Sequence, residues 1–145
     1  MRISLKRIDD AFNFEAVNED GKTLLIDAAE KTGGRNQGVR PTQMLLMALA
    51  GCSGIDIVSI LKKQKQQIDD FQIEVEGERE NIKEEVAKVF AEIKVHFHLK
   101  GTIEPGKAKR AAELSMEKYC SVEKTLRLAG AKIEYKISVN GESVI

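Results

Sequence analysis

The sequence predicts an α+β domain in which helices pack on antiparallel sheets, and three observations lead to it. Three short extended segments open the chain, a long helical stretch that is apolar almost all round follows, and period-two alternation of apolar and polar residues returns on either side of a second helical region. The predicted order is β-β-β-α-β-β-α-α-β, with no internal repeat and no low-complexity segment.

The opening segments are Arg2 to Ile8, Phe12 to Val17 and Thr23 to Asp27, separated by Asp9-Asp10 and by Asn18-Glu19-Asp20-Gly21. Asp20-Gly21 is a hairpin signal, because Gly accepts the positive φ of a tight turn, so the segments read as an antiparallel meander. The polar, glycine-rich run Lys31 to Val39 is too short to link domains and is expected to be a mobile loop. Pro41 suits the first position of a helix, where no N–H is needed, and helical spacing continues to about Gln67.

From Met44 to Ile60 this helix is apolar on every side, which calls for burial all round, whereas Leu61 to Gln67 is a solvated end. A small domain cannot surround so much apolar helix, so a second subunit is expected to cover part of it. Gly51, Ser53 and Gly54 remove bulk where another element must come close. Beyond it, Phe71 to Arg79 and Val89 to Leu99 alternate as strands of a hairpin around a charged tip, Glu80 to Lys88. Pro105 opens a helix through about Tyr119, a shorter one runs from Val122 to about Leu128 and stops at Gly130, and Lys132 to Asn140 closes the chain as a strand.

Size and charge narrow the possibilities. The 145 residues, 42% of them hydrophobic, suffice for one domain over 1–145 that needs neither disulfide nor metal to fold. Lys+Arg and Asp+Glu both number 23, and this balance removes the attraction that drives binding to nucleic acid or an anionic membrane. The N-terminal MRISLKRIDD has charges where a signal peptide needs an apolar core. The apolar stretch at 44–60 contains Asp56 and sits at the lower limit of ~17–25 residues for a membrane span, so it reads as a helix of a soluble protein. Two cysteines without an export signal suggest a reducing compartment, and the cytoplasm is the expected location.

Those cysteines are the strongest nucleophiles in the chain. Cys52, between Gly51 and Ser53 in the apolar helix, reads on its own as an ordinary buried thiol. Cys120 precedes Ser121, which suits the N-cap of a helix starting at Val122, with Lys118 and Lys124 near in sequence. A helix N-terminus and nearby cations favour a thiolate, so local physics ranks Cys120 as the more easily ionised sulfur. His96 and His98, two apart on a strand, share a face and read as part of a polar strand surface; no third ligand stands at diagnostic spacing, so no metal is expected. Glu76, Glu78, Glu80 and the Glu84-Glu85 pair read as solvated charge. The Gly33-Gly34-Arg35-Asn36 loop lacks the spacing of a phosphate-binding loop.

Two separated motifs carry a resemblance. The run from Arg40-Pro41-Thr42-Gln43 through Met44-Leu45-Leu46-Met47-Ala48-Leu49-Ala50-Gly51-Cys52-Ser53-Gly54-Ile55-Asp56, together with Glu117-Lys118-Tyr119-Cys120-Ser121-Val122, resembles the OsmC/Ohr superfamily, and within it the YhfA-like branch. Essentially the whole chain is covered. The resemblance implies an intertwined homodimer whose long central helices pack between antiparallel sheets. It also implies reduction of organic hydroperoxides, with Cys52 as the attacking thiolate and Cys120 resolving its sulfenic acid to a disulfide that an external thiol reduces. No cofactor, nucleic acid or membrane is implied.

The peroxidase branches have Glu directly after the helix-opening Pro, where this chain has Thr42, and an Arg in the N-terminal β-region, where the stretch Phe12 to Glu15 has none. Arg40 is the candidate substitute cation, Gln43 stands where YhfA-like relatives commonly have Glu, and Asp56 lies one helical turn after Cys52. A buried thiol without a cation has its pKa raised. The alternative is therefore a non-enzymatic dimer of the same fold that binds a small hydrophobic or thiol-reactive molecule, its cysteines structural.

Overall fold

A computed structural model describes residues 1–81 and 87–145 of the chain; the Glu84-Glu85 pair and most of the charged tip lie outside the described residues. Two compact units divide between Leu45 and Leu46.

The first unit contains β1 (Ile3–Arg7), β2 (Phe14–Asn18) and β3 (Thr23–Ile26), an antiparallel meander as expected. Gly21 turns the second hairpin at φ 75°, and the Asn18 carboxamide oxygen accepts from the N–H groups of Asp20 and Lys22. The glycine-rich loop is not loose. The buried Asp27 carboxylate accepts from the N–H groups of Ala28 (2.7 Å), Arg35 (3.1 Å) and Gln37 (3.0 Å), and the last two bonds pin the loop. The N–H donors, that of Gln37 first, hold the Asp27 pKa below the usual carboxylate value.

Helix α1 spans Pro41–Lys63, ending short of Gln67 because Lys65 adopts a left-handed φ of 56° and the Gln66 N–H turns back to the Leu61 carbonyl at 3.0 Å. In the second unit, α1 packs against a long hairpin of β4 (Gln67–Asn81) and β5 (Lys88–Thr102). Gly54 faces Ile73 of β4, whose Cδ1 would lie within 2.6 Å of a Cβ at that position.

Beyond β5 come α2 (Pro105–Leu114), a wider π-helical turn at Ser115–Tyr119, α3 (Ser121–Leu128), β6 (Lys132–Val139) and the short β7 (Glu142–Ser143). The sheet order is β4-β5-β6-β7. Here the structure departs from the wholly antiparallel expectation, since β6 runs parallel to β5, pairing His96 with Lys136 and His98 with Ser138. A parallel neighbour requires a crossover connection, and α2, the π turn and α3 supply it. The core of this unit sits between the helices and the inner sheet face: Leu49, Ile57 and Leu61 of α1, Ile93, Val95, Phe97 and Leu99 of β5, and Ile137 of β6 are buried.

The all-round burial expected of α1 is not met within one chain. Leu49, Ser53, Gly54, Ile57 and Leu61 form its buried face, whereas Leu45, Met47 and Ile55 are exposed. By length and composition α1 could cross a membrane, with 28% of its most apolar window buried.

Candidate active site at the cysteine pair

A regular stretch of α1 and one departure from regular helix build the site. On α1, Cys52 and Asp56 are one turn apart and face the same way, with Ser53 buried beside them and its hydroxyl donating to the Leu49 carbonyl at 2.7 Å. Opposite them, α2 does not continue to Tyr119 as an α-helix. It widens, so that the Cys120 N–H bonds to the Ser115 carbonyl five residues back, at 2.8 Å. The fully buried Ser115 hydroxyl then lies 3.2 Å from both the Asp56 carboxylate and the Ser53 carbonyl, tying the crossover to α1.

The result brings together the residues that the two motifs keep far apart in sequence. The two sulfurs and an Asp56 carboxylate oxygen all lie within 4.8 Å of one another. Cys52 is half-buried and Cys120 is buried. These three donors are also of the kind that hold a zinc ion. Ser115 was not singled out from sequence; an isolated serine before Met116 carries no signal of its own, and only the crossover reveals its role.

The electrostatics run against the easy ionisation expected of Cys120. Cys120 itself, not Ser121, is the N-cap of α3, its sulfur accepting from the Glu123 N–H at 3.4 Å. That bond favours the thiolate, but burial is the larger influence, and the neighbouring Cys52 sulfur also takes a hydrogen bond from the Cys120 thiol; together they push its pKa up to about 12. Cys120 is therefore a protonated thiol at neutral pH. Lys118 stands over the Tyr119 ring, 5.6 Å from its centroid.

Arg40 and Gln43 have partners in the first unit. The Arg40 guanidinium donates to the Gly38 carbonyl (2.8 Å), to the Asp27 carbonyl (3.3 Å) and to the Asn36 side chain. The Gln43 side-chain oxygen accepts the Arg40 N–H at 2.9 Å, one half of a capping box at the start of α1.

The comparisons with known proteins extend over both motifs. The family model of OsmC-like proteins matches residues 34–136. This chain belongs to the OsmC-like family. Among its relatives, Protein YhfA of Escherichia coli is 35% identical over 121 residues, spanning 83% of this chain and 85% of YhfA. A hypothetical protein of Aquifex aeolicus has a solved structure with TM-score 0.77 and 28% identity, covering 96% of each chain. The fold also matches the Legionella pneumophila organic hydroperoxide resistance protein OsmC, described as a predicted redox protein, with TM-score 0.66, 19% identity and 96% of each chain covered.

As an OsmC-like protein, the chain departs from the expected histidine surface in one respect. His96 and His98 do lie on the outer sheet face, but their rings stack with centroids 3.7 Å apart, and Glu74 joins them from the adjacent strand β4. Glu76, Glu78 and Glu80 are exposed, as read from sequence.

Proposed function

We propose that this OsmC-like protein is a homodimeric, thiol-dependent reductase of organic hydroperoxides, working through Cys52 and Cys120. The observation that carries the reading is the approach of the chain's only two cysteine sulfurs to within 4.8 Å.

Cys52, the less buried sulfur, is the one that an incoming peroxide meets. Its thiolate attacks the terminal oxygen of ROOH; an S–O bond forms, the O–O bond breaks, and the alkoxide leaves as ROH after taking up the proton that the thiol gave up. Asp56, beside both sulfurs and oriented by Ser115, is the group in place to relay that proton. Cys120 then attacks the Cys52 sulfenic acid: an S–S bond forms, the S–O bond breaks, and hydroxide leaves as water with the Cys120 proton. A dithiol reductant returns the disulfide to two thiols and is itself oxidised. The proton that burial keeps on Cys120 leaves that thiol unreactive toward peroxide and reserves it for resolution.

The exposed Met47 and Ile55 on α1, and an apolar groove of about 630 Å³ lined by Gly51, Gly54, Ile55, Val58, Phe71 and Ile73, fit the same face of a second copy. A binding-only reading draws support from one observation, the same apolar groove beside Gly51, which a small hydrophobic molecule also fits.

One experiment separates the two. Fully reduced protein receives one equivalent of cumene hydroperoxide, and free thiols and intact mass are followed. Rapid conversion of both thiols to an intramolecular disulfide is expected, abolished in Cys52→Ser and stopped at a sulfenic acid in Cys120→Ser. Thiols that survive unchanged would overturn the reductase and leave a binding role.

A further inference from the structure

Away from the cysteines, three potential ligands converge on the outer face of the second sheet. His96 and His98 project from β5 on the same side because they are two residues apart, and Glu74 of β4 is the register partner of His96. One ring nitrogen from each histidine and a carboxylate oxygen of Glu74 all lie within 4.8 Å of one another. We propose that Glu74, His96 and His98 form a binding site for a borderline divalent transition metal such as zinc, with its remaining coordination positions open to the groove above the sheet.

Four features of the surroundings fit this. The donor set, two imidazoles and one carboxylate, is one that zinc uses at sites that keep an open position. His98 is held by both nitrogens: Nδ1 lies 3.2 Å from the Ser138 hydroxyl on β6, and Nε2 faces the Glu74 carboxylate at 3.3 Å. With Nδ1–H donating to Ser138, the Nε2 lone pair points at the carboxylate, and a cation between them turns that repulsion into ligation; this is how an outer hydrogen bond fixes the tautomer of a metal-binding histidine.

The His96 and His98 rings also stack with their centroids 3.7 Å apart, so both imidazoles stand at one spot on the sheet. Finally, the groove of about 670 Å³ beside these residues, lined by Glu74, Glu76, Lys94, His96, Glu134 and Lys136, gives a hydrated ion access. Zinc ligand bonds of about 2.0–2.2 Å allow ligand atoms to stand at most about 4.3 Å apart, so closure around the ion needs only side-chain rotation, which the exposed Glu74 can supply.

The test uses the full-length chain with both cysteines replaced by serine, so that thiols contribute nothing. Zinc titration by calorimetry at pH 7.5 is expected to give one saturable equivalent per chain, and cobalt to give the visible bands of a nitrogen- and oxygen-ligated ion. His96→Gln and His98→Gln are each expected to weaken binding at least tenfold, and Ser138→Ala to weaken it several-fold with the circular dichroism spectrum unchanged. Glu74→Gln, on an exposed side chain that the fold does not use, is the control against misfolding and is also expected to weaken binding. Absence of saturable binding, or binding that survives loss of both histidines, would overturn the site.

Discussion

Each of the two units is held together internally by its own means. In the first, a small meander and its loop gather around one buried carboxylate, Asp27, which accepts three backbone N–H groups and leaves Ala16 and Ile26 as the unit's buried apolar side chains. In the second, a continuous apolar core joins α1, the crossover helices and a four-stranded sheet. A polar hub fixes loop geometry because hydrogen bonds are directional, whereas an apolar core fixes how elements pack. The contrast predicts different sensitivities in the two regions.

The largest effect belongs to the core. Phe97→Ala removes a fully buried ring and is expected to cost about 3–5 kcal/mol in denaturant unfolding; a loss of under ~1 kcal/mol would mean that the core is not what holds the second unit. Asp27→Ala comes next, and its signature is local, with the amides of Ala28, Arg35 and Gln37 losing hydrogen-exchange protection. Because the folded pKa of Asp27 lies below its ordinary value of 3.8, its contribution is fully present above that value and is lost as pH falls through the folded pKa. Acid titration of the wild type should therefore release these amides before those of β5. If Asp27→Ala leaves them protected, the hub is not the organising element.

A smaller effect tests Cys120 as a cap. Cys120→Ala is expected to lose about 1 kcal/mol, whereas Cys120→Ser keeps an acceptor for the Glu123 N–H and most of that stability. Equal losses in the two variants would show that the cap contributes nothing. The smallest is Lys100→Ala, which removes an exposed ion pair to Asp70 at 3.9 Å and should shift stability by less than ~0.5 kcal/mol. A larger shift would mean that this exposed pair contributes to the stability of the sheet.

The parts legible in the sequence were those encoded by neighbours along the chain. Asp20-Gly21 marked its hairpin, Pro41 the start of α1, and alternation the strands β4, β5 and β6, since each depends on a local turn or period. The parallel pairing of β6 with β5 was not legible, because sheet partners are chosen by long-range packing. The end of α1 was misplaced for want of a glycine; Lys65 takes the left-handed position instead. Asn140-Gly141, positive in φ at both residues, is as plain a hairpin signal as Asp20-Gly21, but β7 beyond it is two residues long and too short to show alternation.

At the site, the motifs identified Cys52, Asp56 and Cys120, and the structure brings them together. Local reasoning expected Cys120 to ionise easily and was wrong, because a helix start is visible in sequence and the burial of the thiol is not. The third donor beside the histidines was hidden for a similar reason, since Glu74 is adjacent only across the strand pair.

The crossover has a consequence in time. The β4–β5 hairpin joins neighbouring stretches of chain and can form within microseconds, whereas β6 can join β5 only after α2, the π turn and α3 have closed a long loop. Cys120 rides on that connection, so the two thiols are strangers in the young chain and meet only once the crossover packs on α1. Their proximity is a clock for that step: any chemistry that requires both sulfurs is withheld until the crossover is in place.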